Sequence, residues 1–257
     1  MYLSRLTLRR APEVSALREL IDPVDRRGAQ AGGRVADAHH RLLWSVFADS
    51  AERERDFLWR AEEKRRFFVL SARKPKGSPL FEPPETKSFD VSLAAGDRLR
   101  FTLRANAVSS LPGKPLGNGK HTRGRKVDVA MKVLHGVPSR DESNPAARAP
   151  GSTQEPSERA KVRDQIAREQ AFAWLVRQGA AHGFTPHENA FGPVGYRTVT
   201  LPHYRGKRKG EPRFGVFDLT GDLTVRESDA FLAAVANGFG RAKAFGCGLM
   251  LIRRART

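Results

Sequence analysis

The two halves of the chain show the same order of strand and helix signals, which constrains the fold more than any other feature. The first half opens with "MYLSRLTLR", a short β-rich segment that places Leu3 and Leu6 on opposite faces of a strand. The segment "HHRLLWSVFADS" then has helical spacing, with Leu43, Val46 and Phe47 as its buried stripe. A strand followed by an amphipathic helix is therefore predicted at the start.

The remainder of the first half adds four more predicted elements. "DFLWRAEE" and "RRFFVLSARKP" are typical of two strands around a polar turn at Glu63 and Lys64, and "PPETKSFD" of a weakly structured connection. After a degraded helix, "AGDRLRFTLRANAV" predicts a strand in which Leu99, Phe101 and Leu103 share one face. The resulting βαββαβ order is that of a ferredoxin-like fold, which RNA-recognition domains also use.

The second half repeats this order without an obvious sequence repeat. "VDVAMKVLH" is read as a strand, a helix is predicted from Ala160 to a stop at Gly179 or Gly183, and "GYRTVTLPHYRGKRKGEPRFGVFDLTGDLTV" predicts a long hairpin with a cationic tip. A short helix, "ESDAFLAAVANGFG", and a final strand, "CGLMLIRR", complete it. We therefore predict an α+β chain of two tandem ferredoxin-like (RRM-like) domains, residues 1–107 and 108–257.

Two segments of the second half lack the pattern of a packed element. "SSLPGKPLGNGKHTRGRK" is rich in glycine, proline and cations, and is predicted to be a mobile loop that faces RNA. Residues 136–158 contain almost no large apolar side chain, so a disordered loop is expected there.

Charge is the strongest compositional signal. Lys and Arg number 46 against 28 Asp and Glu, which gives a formal net charge of +18. Such an excess favours a polyanionic partner, because each phosphate contact releases condensed counterions. A genome biased toward arginine would give the same excess without such a partner. A membrane surface is disfavoured, since no basic amphipathic anchor helix is visible.

Other compositional features restrict the cellular compartment in which the protein is expected. The single cysteine, Cys247, excludes an internal disulfide and a cysteine-cluster zinc site. No apolar run reaches the roughly 20 residues needed to span a bilayer, and the N-terminus lacks the apolar region of a signal peptide. A cytoplasmic protein is expected.

Two adjacent histidines, His39 and His40, stand at the start of the predicted helix, for which Asp37 is the predicted N-cap. They could be zinc ligands, core residues or an acid/base catalyst. Neighbours on a helix point about 100° apart, and a zinc pair needs i, i+4 spacing and further ligands. The residues alone leave a structural histidine and a catalytic one open, and neither a metal nor a cofactor is expected.

Three cationic segments are candidates for contact with phosphates. One is the glycine-rich ending "NGFGRAKAFGCGLMLI", which fits neither the phosphate loop nor the dinucleotide fingerprint. The others are the hairpin tip and "GKHTRGRK", each of which could instead be a solvated turn. The candidate RNA-binding residues are Gly238, Gly240, Arg241, Lys243, Gly246, Gly248, Arg205, Lys207, Arg208, Lys209, Arg213, Lys120, Arg123, Arg125 and Lys126.

The ending "GFGRAKAFGCGLMLI" resembles the carboxy-terminal glycine loop of the CasE group, the CRISPR repeat-processing endoribonucleases of type I-E systems (RAMP superfamily). "MYLSRLTL", "HHRLLWSVF", "RLRFTLRAN" and "EQAFAWL" agree with that family in order along the chain, outside the 107–126 and 136–158 loops. The resemblance implies two ferredoxin-like domains that hold a CRISPR repeat hairpin, cut it at its 3′ base without metal, and stay with the product in the Cascade complex.

The resemblance also assigns roles to individual residues. The family's histidine falls on His40, and Arg41 directly after it is a candidate for stabilising charge. Asp37 stands where a family member has a tyrosine, so it and His39 are possible helpers. We predict a metal-independent endoribonuclease in which the ribose 2′-OH attacks the adjacent phosphorus, leaving a 2′,3′-cyclic phosphate and a 5′-OH. The alternatives are a non-catalytic tandem RNA-binding protein and a structural RAMP subunit of an effector complex.

Overall fold

The computed structural model describes residues 1–17, 31–50, 54–63, 65–116, 119–137, 158–201 and 213–255. The first sheet has the order β2-β3-β1-β4, and every neighbouring pair is antiparallel. This is the strand order of a ferredoxin-like sheet. Its strands are β1 (Tyr2–Thr7), β2 (Phe57–Glu62), β3 (Arg66–Ser71) and β4 (Glu85–Ser88), and its helices are α1 (Pro12–Ala16) and α2 (Ala31–Trp44).

The helix α2 covers one face of this sheet, as its apolar stripe predicts. Leu43, Val46 and Phe47 are fully buried in one cluster with the rings of Trp59 and Phe67. The helix ends at Trp44, so Val46 and Phe47 lie in the turn that follows it. Leu6 belongs to this cluster and Leu3 packs against the other one, which confirms that the strand β1 has two apolar faces.

The prediction that Asp37 caps α2 is wrong. The helix begins at Ala31, two turns before this carboxylate, so Asp37 lies within it. The first turn of the helix is rich in glycine, which is a weak helix former, so the apolar stripe alone predicts a later start.

The strand β5 (Arg98–Ala105) does not complete the first sheet, in contrast to the prediction. It pairs over its whole length with β10 (Arg213–Val225) and also with β11 (Met250–Arg254), both of which belong to the second sheet. The polar strand β4 closes the first sheet instead, and the described residues between β3 and β4 contain no helix. A division of the chain at residue 107 therefore separates β5 from its sheet.

The second sheet repeats the order of the first. The strands β11, β5 and β10 lie side by side, and β8 and β9 share the position on the far side of β10. The long helix ends directly before Gly183, at one of the two predicted stops. The elements are β8 (Phe184–Pro186), β9 (Gly195–Thr200), β10 (Arg213–Val225), β11 (Met250–Arg254), α4 (Glu158–His182) and α5 (Ser228–Asn237). The tandem ferredoxin-like prediction is confirmed.

A small insertion follows β5 and differs from the prediction. The strands β6 (Val108–Leu111) and β7 (Arg125–Asp128) form an antiparallel ribbon within the segment predicted to be a mobile loop. The prediction of a strand through "VDVAMKVLH" is wrong beyond Asp128, because that side chain accepts hydrogen bonds from the N–H groups of Ala130 and Met131 and starts the helix α3 (Val129–Leu134). Residues 138–157 of the predicted disordered loop lie outside the described residues.

None of the helices in the described residues is both long and apolar enough to cross a bilayer.

Candidate active site and basic groove

His40 lies on the helix α2 with its ring half-buried between two aromatic side chains. The ring centroids of Trp44 and Phe57 are each 6.2 Å from that of the imidazole. The Nε2 atom is buried, and no described group forms a hydrogen bond with it. A buried imidazole nitrogen without a protein partner is costly to keep, unless a ligand completes the site.

The surroundings of His40 lower the pKa of its imidazole. Burial is the main cause, and the guanidinium of Arg55 is the next. The carboxylate of Asp37 acts in the opposite direction, and Arg41 adds to the lowering. The ring is therefore neutral at physiological pH, the state in which an imidazole can accept a proton.

Asp37 and Arg41 form an ion pair on the surface of α2. The Oδ2 atom of Asp37 lies 3.0 Å from the Nη2 atom of Arg41, one helical turn away. The Arg41 side chain is 78% exposed, so it can leave this pair at little cost to meet an anion.

His39 points away from His40, as the helical geometry requires. Its ring makes edge contacts with Phe67 at 4.9 Å and Trp59 at 6.2 Å, both core residues. The two imidazoles therefore face different parts of the protein: the ring of His39 packs on core side chains, and that of His40 lies between Trp44 and Phe57. Among the described residues, no group of His, Cys, Asp or Glu side chains could hold a metal ion.

The glycine-rich loop packs between the two sheets. A Cβ atom at Gly238 would lie 2.8 Å from a methyl group of Leu58, and one at Gly246 would lie 3.0 Å from the Trp59 ring. Both glycines have positive φ, which favours glycine for conformational reasons as well. The short 3₁₀ turn of this loop, Lys243–Phe245, contacts both α2 and β2.

Several backbone donors of this loop are already used within the protein. The N–H groups of Gly238, Arg241 and Gly248 donate to the carbonyl oxygens of Ala234, Asn106 and Arg104. They cannot donate to phosphate at the same time. Gly240 also packs closely, since a Cβ there would lie 2.7 Å from the carbonyl oxygen of Asn106. The contribution of this loop to anion binding is therefore limited to the side chains of Arg241 and Lys243, which extend from a tightly packed backbone.

Five of the predicted RNA-binding cations line one groove with a volume of about 990 Å³. Its walls are the β6–β7 ribbon, the start of β10 and the glycine-rich loop. These cations are Arg123, Arg125, Lys126, Arg213 and Arg241. Lys120 lies on the same insertion but does not line the groove, and Lys243 lies beside α2 instead. Arg205, Lys207, Arg208 and Lys209 lie outside the described residues.

One carboxylate lies on the wall of this basic groove and was missed by the sequence reasoning. Asp128 accepts a hydrogen bond from the Tyr196 hydroxyl at 3.1 Å as well as from the start of α3. Burial raises the pKa of this carboxyl above its usual value. Its Oδ1 atom serves the protein's own donors and thereby connects the start of α3 to Tyr196 of β9.

The helix of His40 lies next to the base of the cationic hairpin. The helix α2 contacts β9, and a Cβ atom at Gly33 would lie only 1.9 Å from the carbonyl oxygen of Thr200. Thr200 is the last residue of β9. The hairpin base, the histidine and the glycine-rich loop therefore belong to one side of the molecule.

A sequence profile of the family described as "CRISPR associated protein" matches residues 1–254. The chain belongs to this family. It is 24% identical over 229 residues to the CRISPR system Cascade subunit CasE of Escherichia coli (strain K12), covering 86% of this chain and 94% of that protein. It is 27% identical over 270 residues to the CRISPR-associated endoribonuclease Cse3 of Thermus thermophilus, covering 98% and 99%. These relatives confirm the CasE-type resemblance.

The fold is shared with solved CRISPR-associated proteins. The structure of Thermus thermophilus Cse3 bound to an RNA representing a pre-cleavage complex superposes with a TM-score of 0.56 at 22% identity, covering 98% of each chain. Cas6e from Escherichia coli K-12 gives a TM-score of 0.55 at 18% identity, covering 99% of this chain and 100% of that one.

Arg55 is the residue of this CRISPR-associated chain that sequence reasoning missed beside His40. It lies two residues before the strand β2 and donates from Nη1 to the carbonyl oxygen of Phe57 at 3.1 Å. Its charge lowers the pKa of both His40 and Lys243. In the sequence "ERERDFLW" it is one charge among several, and nothing in that pattern separates it from a solvated arginine.

Proposed function

We propose that this protein is a metal-independent endoribonuclease that binds a CRISPR repeat stem-loop and cuts the precursor RNA at the 3′ base of the hairpin. The observation that carries the proposal is His40, a half-buried imidazole with an unpartnered Nε2 and a lowered pKa, surrounded by cations. Since no described group forms a hydrogen bond with this Nε2 atom, it is available to exchange a proton with a substrate.

The reaction needs one proton removed and another supplied. The neutral imidazole of His40 takes the proton of the ribose 2′-OH, whose oxygen attacks the adjacent phosphorus in line. The bond from phosphorus to the 5′-oxygen breaks, and that oxygen leaves as a 5′-OH after gaining a proton from solvent water. The products are a 2′,3′-cyclic phosphate and a 5′-OH, and a positioned base contributes about 10²- to 10⁴-fold to the rate.

Cations near His40 act on the negative charge that the phosphorane gains. Arg41 is exposed on the same helix, and Lys243 is held beside that helix by the 3₁₀ turn of the glycine-rich loop. Asp37, paired with Arg41, and His39, packed on core rings, have supporting positions. Fixed charges in a partly dehydrated site stabilise developing charge more than the same charges in water.

We propose that the basic groove and the hairpin hold the RNA stem through its phosphates. A-form RNA hides its base edges in a deep major groove, so shape and backbone contacts dominate recognition. The five groove cations are suited to that role. We further propose that the protein keeps the cut RNA within a Cascade complex in the cytoplasm. The similarity to CasE, a subunit of a CRISPR system Cascade, supports membership of such a complex.

The experiment uses the full-length protein and the repeat hairpin RNA of its host in the presence of EDTA. The expected result is a single cut with a 2′,3′-cyclic phosphate on the upstream product. A hairpin with a 2′-deoxy sugar at the cut position should bind equally and remain intact. Loss of cutting in EDTA, or cutting of the deoxy substrate, would contradict the mechanism. Binding without any cutting of the all-ribose hairpin would favour a non-catalytic RNA-binding protein.

A further inference from the structure

We propose that Arg55 is a catalytic residue of the proposed RNA cleavage and that its guanidinium, together with the Lys243 ammonium, binds the scissile phosphate beside His40. Neither the family resemblance nor the charge pattern of the sequence assigns this role. The inference rests on the proposed function, because it names a further participant in the same reaction.

The position of Arg55 follows from its connection to the strand β2. Its Nη1 atom donates to the carbonyl oxygen of Phe57, and the ring of Phe57 is one of the two that flank His40. The guanidinium is thereby tied to the wall of the histidine site. Since one of its five N–H donors is used by this contact, the others are available to a phosphate.

Lys243 approaches the same place from the glycine-rich loop. The turn that carries it contacts both α2, which holds His40, and β2, which Arg55 precedes. Its Nζ atom donates to the carbonyl oxygen of Asn237 at 2.6 Å, which fixes the side chain. Burial and the charge of Arg55 both lower the pKa of this ammonium. Two cations that repel each other are thus held together.

The described residues provide no anion for this cluster. Arg55 is half-buried and forms no ion pair with a described carboxylate, while Asp37 is paired with Arg41. A second arginine, Arg73, differs from Arg55 in having carboxylate partners. Its guanidinium is neutralised by Asp56 at 2.7 Å and Asp49 at 2.8 Å. Asp56 is the direct neighbour of Arg55, yet it pairs with Arg73.

Half-buried cations without a counter-ion cost free energy, which an anionic ligand offsets. A phosphodiester fits the site, because guanidinium groups bind phosphate oxygens through paired hydrogen bonds. The phosphate would then lie against His40 Nε2, which has no described hydrogen-bond partner. A single phosphate in this position would neutralise the charges of Arg55 and Lys243 and contact the imidazole of His40.

Arg55 has a second effect, on the titration of His40. The charged groups that act on the imidazole are Asp37 and Arg41 from its own helix and Arg55 from the segment before β2. Lys243 lies on the turn that packs against α2 and β2. Arg55 lowers the pKa of His40, so its removal should raise that pKa. A general base with a raised pKa is protonated at a higher pH, so the acidic limb of the pH–rate profile should move to higher pH.

The test is single-turnover cleavage of the repeat hairpin at saturating enzyme, measured from pH 5 to 9. Arg55→Gln should lower the plateau rate by about 10²- to 10³-fold, as does loss of one donor to a developing oxyanion. It should also move the acidic limb to higher pH. Arg55→Lys retains the charge, so its acidic limb should stay at the wild-type pH and its rate should lie between the other two.

Arg73→Gln is the matched control, because it removes an arginine from the same region that is neutralised by carboxylates. It should weaken the fold, measured as a lower midpoint of thermal unfolding, and leave the acidic limb in place. An Arg55→Gln rate within threefold of wild type, or an unmoved limb, would overturn the role of Arg55 while leaving the proposed function intact. A wild-type protein that does not cut the hairpin would overturn both.

Discussion

Replacing Gly238 by alanine tests whether the glycine-rich loop is a packing element that positions its cations. Gly238 follows the helix α5 with φ 76° and ψ 151°, a conformation that residues with a Cβ atom rarely adopt. The missing side chain would point at the core residue Leu58, which belongs to the first half of the chain. The loop therefore depends on glycine for both its conformation and its contact.

The expected loss of stability has two parts. Holding alanine in this backbone conformation costs about 1–3 kcal/mol. Its Cβ atom would also lie 2.8 and 2.9 Å from the two methyl carbons of Leu58, and forcing such an overlap into a packed core costs about 1–3 kcal/mol. Gly238→Ala should therefore lower the free energy of unfolding by roughly 2–6 kcal/mol.

Urea denaturation followed by circular dichroism measures this loss. Gly77→Ala is the control, since no atom lies within 4 Å of the added methyl group and its φ is not positive. That substitution should be neutral or stabilise by about 0.4–1 kcal/mol, because it restricts the unfolded chain. If Gly238→Ala unfolds within about 1 kcal/mol of the wild type, a cost smaller than either strain or overlap alone predicts, the loop is not held by this contact.

Two further predictions concern the charged residues of the second sheet and the groove. The carboxyl of Asp222 is buried, and hydrogen bonds from Arg100 and Arg98 hold its pKa below the ordinary value, so its stabilisation is present above about pH 4 and disappears as the pH falls through the lowered pKa. Asp222→Ala should therefore lower the free energy of unfolding by about 1.5–3 kcal/mol at pH 7 and by much less near pH 2, and an equal loss at both pH values in urea titrations would refute this. Arg213→Ala should weaken RNA binding and reduce the slope of log Kd against log salt concentration by about 1 in filter-binding titrations, whereas an unchanged slope would show that Arg213 does not contact a phosphate.

The order of the strands and helices was largely predictable, because burial imposes a visible period on the sequence. The alternation in "RLRFTLRA" indicated β5 correctly, but the same apolar face could pack in either sheet. Its true partners lie more than 100 residues away, and a local pattern does not encode them. The strand β4, "ETKS", has no apolar face, since it is an exposed edge strand, and it was read as a connection.

Some residues of the candidate site could be predicted from the sequence and others could not. His40 could be selected from the sequence because its neighbours resemble a family motif, and the groove cations because they cluster along the chain. Arg55 could not be selected, since its significance depends on which arginine takes the neighbouring carboxylates, and only packing decides that. Likewise, the sequence predicts that the glycines contact RNA phosphates, whereas the structure places Leu58 against Gly238 and Trp59 against Gly246.

Proton transfer by His40 is the central claim, and one measurement tests it most directly. The single-turnover cleavage rate of His40→Ala on the repeat hairpin should be about 10²- to 10⁴-fold below that of the wild type, with the Kd for the hairpin retained. His39→Ala removes the adjacent imidazole, which packs on the core rings of Phe67 and Trp59 and not beside His40, so it should cut within about tenfold of the wild-type rate. A His40→Ala protein that cuts the hairpin at the wild-type rate would contradict the account.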